Sequence, residues 1–186
     1  MKALLTTLPN TITMLRFCSV PFVLYLLLLG YYEAAFWVFL AAGVSDAVDG
    51  LLARILNARS SFGAYADPLA DKALLIVSSI TLAWLELLPL WLVFLLVFRD
   101  LLIIGGAIVF QALSQTLTMQ PLLISKLNTA AQITLVAAVM AQAAGFILLG
   151  GLEPTLIYLV AGTTFLSGGA YVIVWLRKAM ALEDRT

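Results

Sequence analysis

Asp46, Asp49, Asp67 and Asp71 lie close together in a chain that is 63% hydrophobic and only 11% charged. Each carboxylate placed near hydrocarbon needs a cation or a partner to offset its desolvation. Asp46 and Asp49 are three residues apart, and Asp67 and Asp71 are four apart, so on helices each pair shares a face. Bringing the two faces together makes a basin of four like charges, which repel unless cations stand between them. An oxygen-only ligand set favours hard divalent ions such as Mg2+ or Mn2+. Two such ions about 4 Å apart suit a phosphoryl centre, because they neutralise the charge on its leaving group. Gly50, Ala53 and Gly63 lie among the aspartates and leave room for a nucleotide or diphosphate beside the backbone, while Arg54 is placed to pair with a phosphate or a carboxylate.

The rest of the composition narrows the chemistry. The chain has no histidine and one cysteine, Cys18, which excludes an internal disulfide framework, a cysteine zinc cluster and a histidine general base. Acid and base work falls to carboxylates. Ten basic and ten acidic residues balance to zero net charge, and no basic surface for nucleic acid emerges. A mean hydropathy of +1.10 places the chain in a bilayer. The apolar run from Phe17 to Leu29 lacks a small-residue cleavage pattern, so the first helix is expected to stay in the mature protein.

The elements that must position the aspartates are membrane spans. About 20 residues cross the hydrocarbon core, and six segments approach that length, at about 12–29, 34–56, 70–88, 90–112, 127–149 and 154–176. Breaks are cued by Gly30, by Ser60, Ser61 and Gly63, by Pro89, by Pro121, and by Gly150, Gly151 and Pro154. The expectation is an all-α integral membrane protein with six transmembrane helices, forming a single domain over residues 1–186. Lys2, Arg16, Arg54, Arg59, Lys72, Lys126, Arg177, Lys178 and Arg185 fall on the side shared by both termini, and the opposite turns carry Glu33, Glu86 and Glu153. The positive-inside rule then puts both termini and the aspartates at the cytoplasmic face. Arg99 and Asp100 fall in the middle of the fourth span, either neutralising each other or lining a polar cavity with Arg99 toward a phosphate. Gly105 and Gly106, with Ala41, Ala42, Ser45, Ala130, Ala137 and Ala138, are expected to permit close helix packing or leave room for lipid chains.

With every spacer intact, Asp46, Asp49, Gly50, Ala53, Arg54, Gly63, Asp67 and Asp71 match D-x2-D-G-x2-A-R-x8-G-x3-D-x3-D, and in this the chain resembles the CDP-alcohol phosphotransferase family. The resemblance implies six transmembrane helices in that family's fold, a homodimer, and a CDP-linked donor bound between the two helices that carry the motif. It implies that Asp46, Asp49 and Asp67 hold two divalent ions, and that Asp71 both approaches metal and acts as general base. Gly50, Ala53, Arg54 and Gly63 carry over as donor-binding positions, along with Asp46 and Asp67. The segment PNTITMLR, with Pro9, Asn10, Thr13 and Arg16, is similar to the opening of the phosphatidyltransferase branch and adds Thr13 to the donor contacts.

FRDLLIIGG at 98–106 and ISKLNTAAQ at 124–132 are similar to the CMP-forming cardiolipin synthase branch. That branch transfers a phosphatidyl group from CDP-diacylglycerol to phosphatidylglycerol and releases CMP. The phosphatidylglycerophosphate synthase branch, with glycerol 3-phosphate as acceptor, is the second expectation; it is expected to carry a glutamate where this chain has Asp100. Arg59, Arg99 and Lys126 are the candidates for the acceptor phosphate, with Arg59 and Lys126 equally placed as anchors among lipid headgroups. Asn128 and Gln132 share a helical face in the region following Ser125 and either orient the acceptor or join helices. A carboxylate-lined membrane carrier is the reading from another class, although no inverted pair of broken helices supports it. The expected setting is a bacterial inner membrane, with the active site facing the cytoplasm and membrane phospholipid around the protein.

Overall fold

The computed structural model describes residues 16–55, 61–114 and 123–183, with side chains described up to Ser45 and again from Lys72 to Gly106 in the first two stretches. The described backbone is helical throughout, in six helices: α1 Arg16–Leu28, α2 Tyr32–Ile55, α3 Ser61–Trp84, α4 Leu90–Ser114, α5 Leu123–Ala143 and α6 Leu152–Glu183. An apolar chain in hydrocarbon has no water to satisfy its peptide groups, and helices close those hydrogen bonds internally. Stretches of α5 (Leu123–Ala143) and α6 (Leu152–Arg177) are long and apolar enough to cross a membrane. Much of the surface is apolar too: Phe165 is 75% exposed and Leu123 77%, which suits contact with lipid tails rather than water.

The helix ends differ from the sequence expectation at several places, and capping explains two of them. Helix α5 stops at Ala143 rather than continuing to about 149, because Gly145 adopts φ +78°. Its N–H donates to the Gln142 carbonyl while the Phe146 N–H donates to the Ala141 carbonyl, both at 2.9 Å, which is a Schellman cap. Gly30 closes α1 in the same way, with bonds from Gly30 to Leu27 and from Tyr31 to Leu26. Helix α3 ends at Trp84, short of 88, through a third such cap in which Glu86 occupies the left-handed position at φ 60°. A glutamate there carries no sequence signal, since glycine is the usual occupant. At its other end α3 starts at Ser61, nine residues before the expected start, and runs through Gly63, one of the residues that suggested a break. The second half of the aspartate motif thus sits on the opening turns of α3, in register with the rest of that helix.

The chain divides into two compact units, Met1–Pro89 with Val136–Leu149, and Leu90–Leu135 with Gly150–Thr186. In the first unit Leu27, Phe39, Leu75, Leu82, Val139 and Met140 are buried, and α2 packs on α3. Phe36 and Phe146 meet edge to face at 5.4 Å. Two hydroxyls buried here are met within their own helix, Ser79 donating to the Leu75 carbonyl and Thr81 to the Val77 carbonyl, each at 2.8 Å, while the neighbouring Ser78 Oγ is buried without a partner. In the second unit α4 lies along α6. A Cβ at Gly106 would run into the Trp175 ring, so this glycine serves the close approach expected of it, whereas a Cβ at Gly105 meets nothing. Ala42 is buried while Ala41 and Ala130 are exposed, so the small residues divide between packing and surface.

Candidate functional site

Asp46 and Asp49 lie on the last turns of α2, with Gly50, Ala53 and Arg54 following, and Asp67 and Asp71 lie on α3 with Gly63. The helical backbone at both places turns the sequence spacing into geometry: positions 46 and 49 share one face of α2, and positions 67 and 71 one face of α3. The side chains of these eight residues lie outside the described residues, as do Thr13 and Arg59. The donor set remains four carboxylates, with oxygen as the only ligand element, and it fits a hard divalent cation better than zinc or copper. An open cavity of about 520 Å3 at the α1–α2 turn is lined by Tyr31, Tyr32, Glu33 and Trp37 among others, and no residue proposed for chemistry borders it.

The second cluster is described in full and lies within the second unit. Arg99 and Asp100, in α4, are 3% and 5% exposed. Arg99 Nη1 donates to Asp100 Oδ1 at 2.7 Å. Its Nη2 donates to Ser125 Oγ of α5 at 2.6 Å and to Ser167 Oγ of α6. One guanidinium therefore ties three helices together. A self-neutralising pair with Asp100 or a polar cavity around Arg99 was expected; the two serines were not. Gly168 brings the α6 backbone against the Arg99 stem, where a Cβ would sit 3.6 Å from Cγ. Lys126, next to Ser125, is exposed and makes no ion pair among the described residues, so Arg99 and Lys126 occupy different environments.

Asn128 continues the polar face of α5 one turn beyond Ser125 and is 1% exposed. Its Oδ1 lies 2.8 Å from both Thr163 Oγ1 and Thr164 Oγ1 of α6. Each threonine hydroxyl also lies near the Val160 carbonyl, at 3.0 Å and 2.7 Å respectively. A hydroxyl has one proton to donate. With the protons on Asn128 Oδ1, the Nδ2 group is buried without a partner. With the protons on Val160, a turned amide gives its NH2 group to both threonines and leaves the oxygen over. Either way half of the amide is open. Gln132, one turn further and 2% exposed, makes no side-chain hydrogen bond among the described residues, and its Nε2 is buried without a partner. Arg99 Nε and Trp175 Nε1 are also buried and unpartnered. Leaving such a group unmet costs on the order of 1–3 kcal/mol, so four among the described residues of this unit, as well as the Ser78 hydroxyl of the first, call for a reason.

Comparison with known proteins adds an independent line. The family model described as CDP-alcohol phosphatidyltransferase matches residues 6–176. The chain is 35% identical over 182 residues to a cardiolipin synthase (CMP-forming)/mitochondrial hydrolase fusion protein of Schizosaccharomyces pombe, covering 90% of this chain and 31% of that one. It is 36% identical over 189 residues to a chloroplastic CDP-diacylglycerol–glycerol-3-phosphate 3-phosphatidyltransferase of Oryza sativa subsp. japonica, covering 89% and 56%. It is 35% identical over 151 residues to a cardiolipin synthase (CMP-forming) of Rattus norvegicus, covering 73% and 50%. The chain thus spans between about a third and just over half the length of these relatives.

Proposed function

This chain belongs to the CDP-alcohol phosphatidyltransferase family, a family of membrane-associated transferases, and we propose that within it the protein is a cardiolipin synthase. It would transfer a phosphatidyl group from CDP-diacylglycerol to phosphatidylglycerol. The observation that carries the reading is the complete eight-position motif at 46–71 inside a family match over residues 6–176, together with FRDLLIIGG and ISKLNTAAQ. One relative bears the name of a glycerol-3-phosphate phosphatidyltransferase, which keeps that acceptor as the second reading.

The proposed roles follow from residue chemistry. Asp46, Asp49, Asp67 and Asp71 hold two divalent ions, Mg2+ or Mn2+, which when bound supply charge neutralisation to the diphosphate and its leaving group. Gly50, Ala53 and Gly63 let the CDP moiety approach the backbone, and Arg54 and Thr13 contact the donor. Asp71 takes the proton from the acceptor hydroxyl as its oxygen attacks the phosphorus bearing diacylglycerol. The bond from that phosphorus to the bridging oxygen breaks, and CMP departs with the electron pair. Arg99, Lys126 and Arg59 are proposed for the acceptor phosphate; Arg99 reaches it through the one guanidinium nitrogen not already engaged, Nε. Six transmembrane spans, both termini and the active site at the cytoplasmic face of a bacterial inner membrane, and a homodimer complete the proposal.

The test is release of labelled CMP from CDP-diacylglycerol by purified protein offered phosphatidylglycerol or glycerol 3-phosphate, with and without divalent cation. Phosphatidylglycerol-dependent, cation-dependent release is expected. Strict use of glycerol 3-phosphate selects the second reading, and release that persists in chelator overturns the metal assignment.

A further inference from the structure

Asn128 and Gln132 are buried side chains of the second unit that neither its packing nor the roles assigned above account for. They stand one helical turn apart on the same face of α5, about 6 Å along the axis. Each has an amide that its surroundings leave partly or wholly unmet. Beside them on that face, Ser125 is held by Arg99, whose Nε also lacks a partner. A helix–helix interface that needed only adhesion would have no use for these amides, since alanine or leucine packs there without an unmet group. What the unmet atoms ask for is specific. The Arg99 Nε–H calls for an anionic or neutral acceptor. The Asn128 amide, whose leftover atom is a donor in one orientation and an acceptor in the other, and the Gln132 amide, with both atoms free, call for groups that donate and accept, which is what a hydroxyl does.

We propose that Asn128, Gln132 and the Arg99 Nε form a buried site for a polyol phosphoester, in which the amides read the hydroxyls of the glycerol group and so determine acceptor selectivity. The proposal rests on the phosphatidyltransferase reading for its ligand, but the site itself rests on burial and unmet hydrogen-bonding capacity. Asn128 is the more rigid of the two, because Thr163 and Thr164 hold its other half. Gln132 is free to reorient and contributes more to discrimination between acceptors. A site of this kind leaves a signature unlike that of a structural amide: it trades stability for binding. Replacing Gln132 with an apolar residue of similar volume removes an unmet polar group and leaves the fold as stable or more so, while acceptor binding weakens.

The experiment uses the full-length protein in detergent micelles with Gln132→Leu, Gln132→Met and Asn128→Leu. Lipid retention by native mass spectrometry compares phosphatidylglycerol with phosphatidylmethanol of the same acyl chains, which keeps the phosphodiester and lacks the hydroxyls. Wild type is expected to favour phosphatidylglycerol, and Gln132→Leu to abolish the preference with an unchanged or raised melting temperature. In the transfer assay the acceptor KM is expected to rise about tenfold and the CDP-diacylglycerol KM to change less than twofold. Equal retention of both lipids by wild type, or a preference that survives every substitution, overturns the site. A melting temperature lowered in both Gln132 variants assigns that amide to folding and overturns it as well. If wild type transfers to neither acceptor yet its lipid preference depends on Gln132, the transferase reading fails and the site stands. If transfer proceeds with an acceptor KM indifferent to the substitutions, the site fails and the transferase reading stands.

Discussion

The two units differ in how far their paired polar groups reach. In the first, Ser79 and Thr81 donate to carbonyls four residues earlier in the same helix, so the hydroxyls are met before any tertiary contact forms. In the second, Arg99 reaches Ser125 and Ser167, and Asn128 reaches Thr163 and Thr164, across sequence separations of 26, 68, 35 and 36 residues. Self-satisfied hydroxyls are compatible with almost any neighbour and specify little. Cross-helix pairs, by contrast, have partners only in one arrangement of α4, α5 and α6, so they select that arrangement. The chemistry divides along the same line. The aspartate motif is compact in sequence and rides on two consecutive helices, while the polar seam of the second unit exists only once three helices have met.

The largest effect expected lies in the first region. Asp71→Asn should lower transfer by a factor of about 10^2–10^4, the usual contribution of a positioned base, while donor binding partly survives. Single-turnover assay with equilibrium binding of CDP-diacylglycerol separates the two, and near-normal turnover would remove Asp71 from its role. The buried ion pair of the second region answers in stability. Arg99→Leu deprives the buried Asp100 carboxylate of its guanidinium and should cost roughly 3–5 kcal/mol, with much of the loss recovered in Arg99→Leu/Asp100→Leu. Thermal unfolding in detergent checks this, and an unrecovered double variant would show that the pair does more than neutralise itself.

Smaller substitutions sharpen the contrast between long-range and local satisfaction. Ser167→Ala removes one acceptor from a charged donor and should cost about 1.5–3 kcal/mol. Ser79→Ala, which removes only a bond within its own helix, should stay within about 0.5 kcal/mol. Equal costs for the two would erase the distinction drawn between the units. Smallest and opposite in sign, Glu86→Gly should stabilise the protein by about 0.5–1 kcal/mol, because glycine adopts φ 60° without the steric penalty of a side chain.

Particular residues show where sequence reading succeeded and where it stopped. Gly30 and the apolar runs announced the helices and the first turn, since a glycine that ends a helix and an apolar face both act locally. Glu86 hid the end of α3, because a cap normally marked by glycine is formed there by a residue with no such preference. Gly63 suggested a break that α3 passes through, which shows a weak local preference yielding to the helix around it. Lys126 and Arg99 were alike in sequence as candidates for the acceptor phosphate. The fold separates them: one is exposed, and the other is buried with its Nη groups already engaged.

The helical class and the membership in a phosphatidyltransferase family were legible in the sequence alone, because hydropathy, helical period and the motif's spacing are all short-range properties. Only the tertiary structure decided that Arg99 joins three helices and that Asn128 and Gln132 are buried with amide groups still to be met. Those facts depend on which helices become neighbours, and no local pattern in the chain encodes a partner 68 residues away.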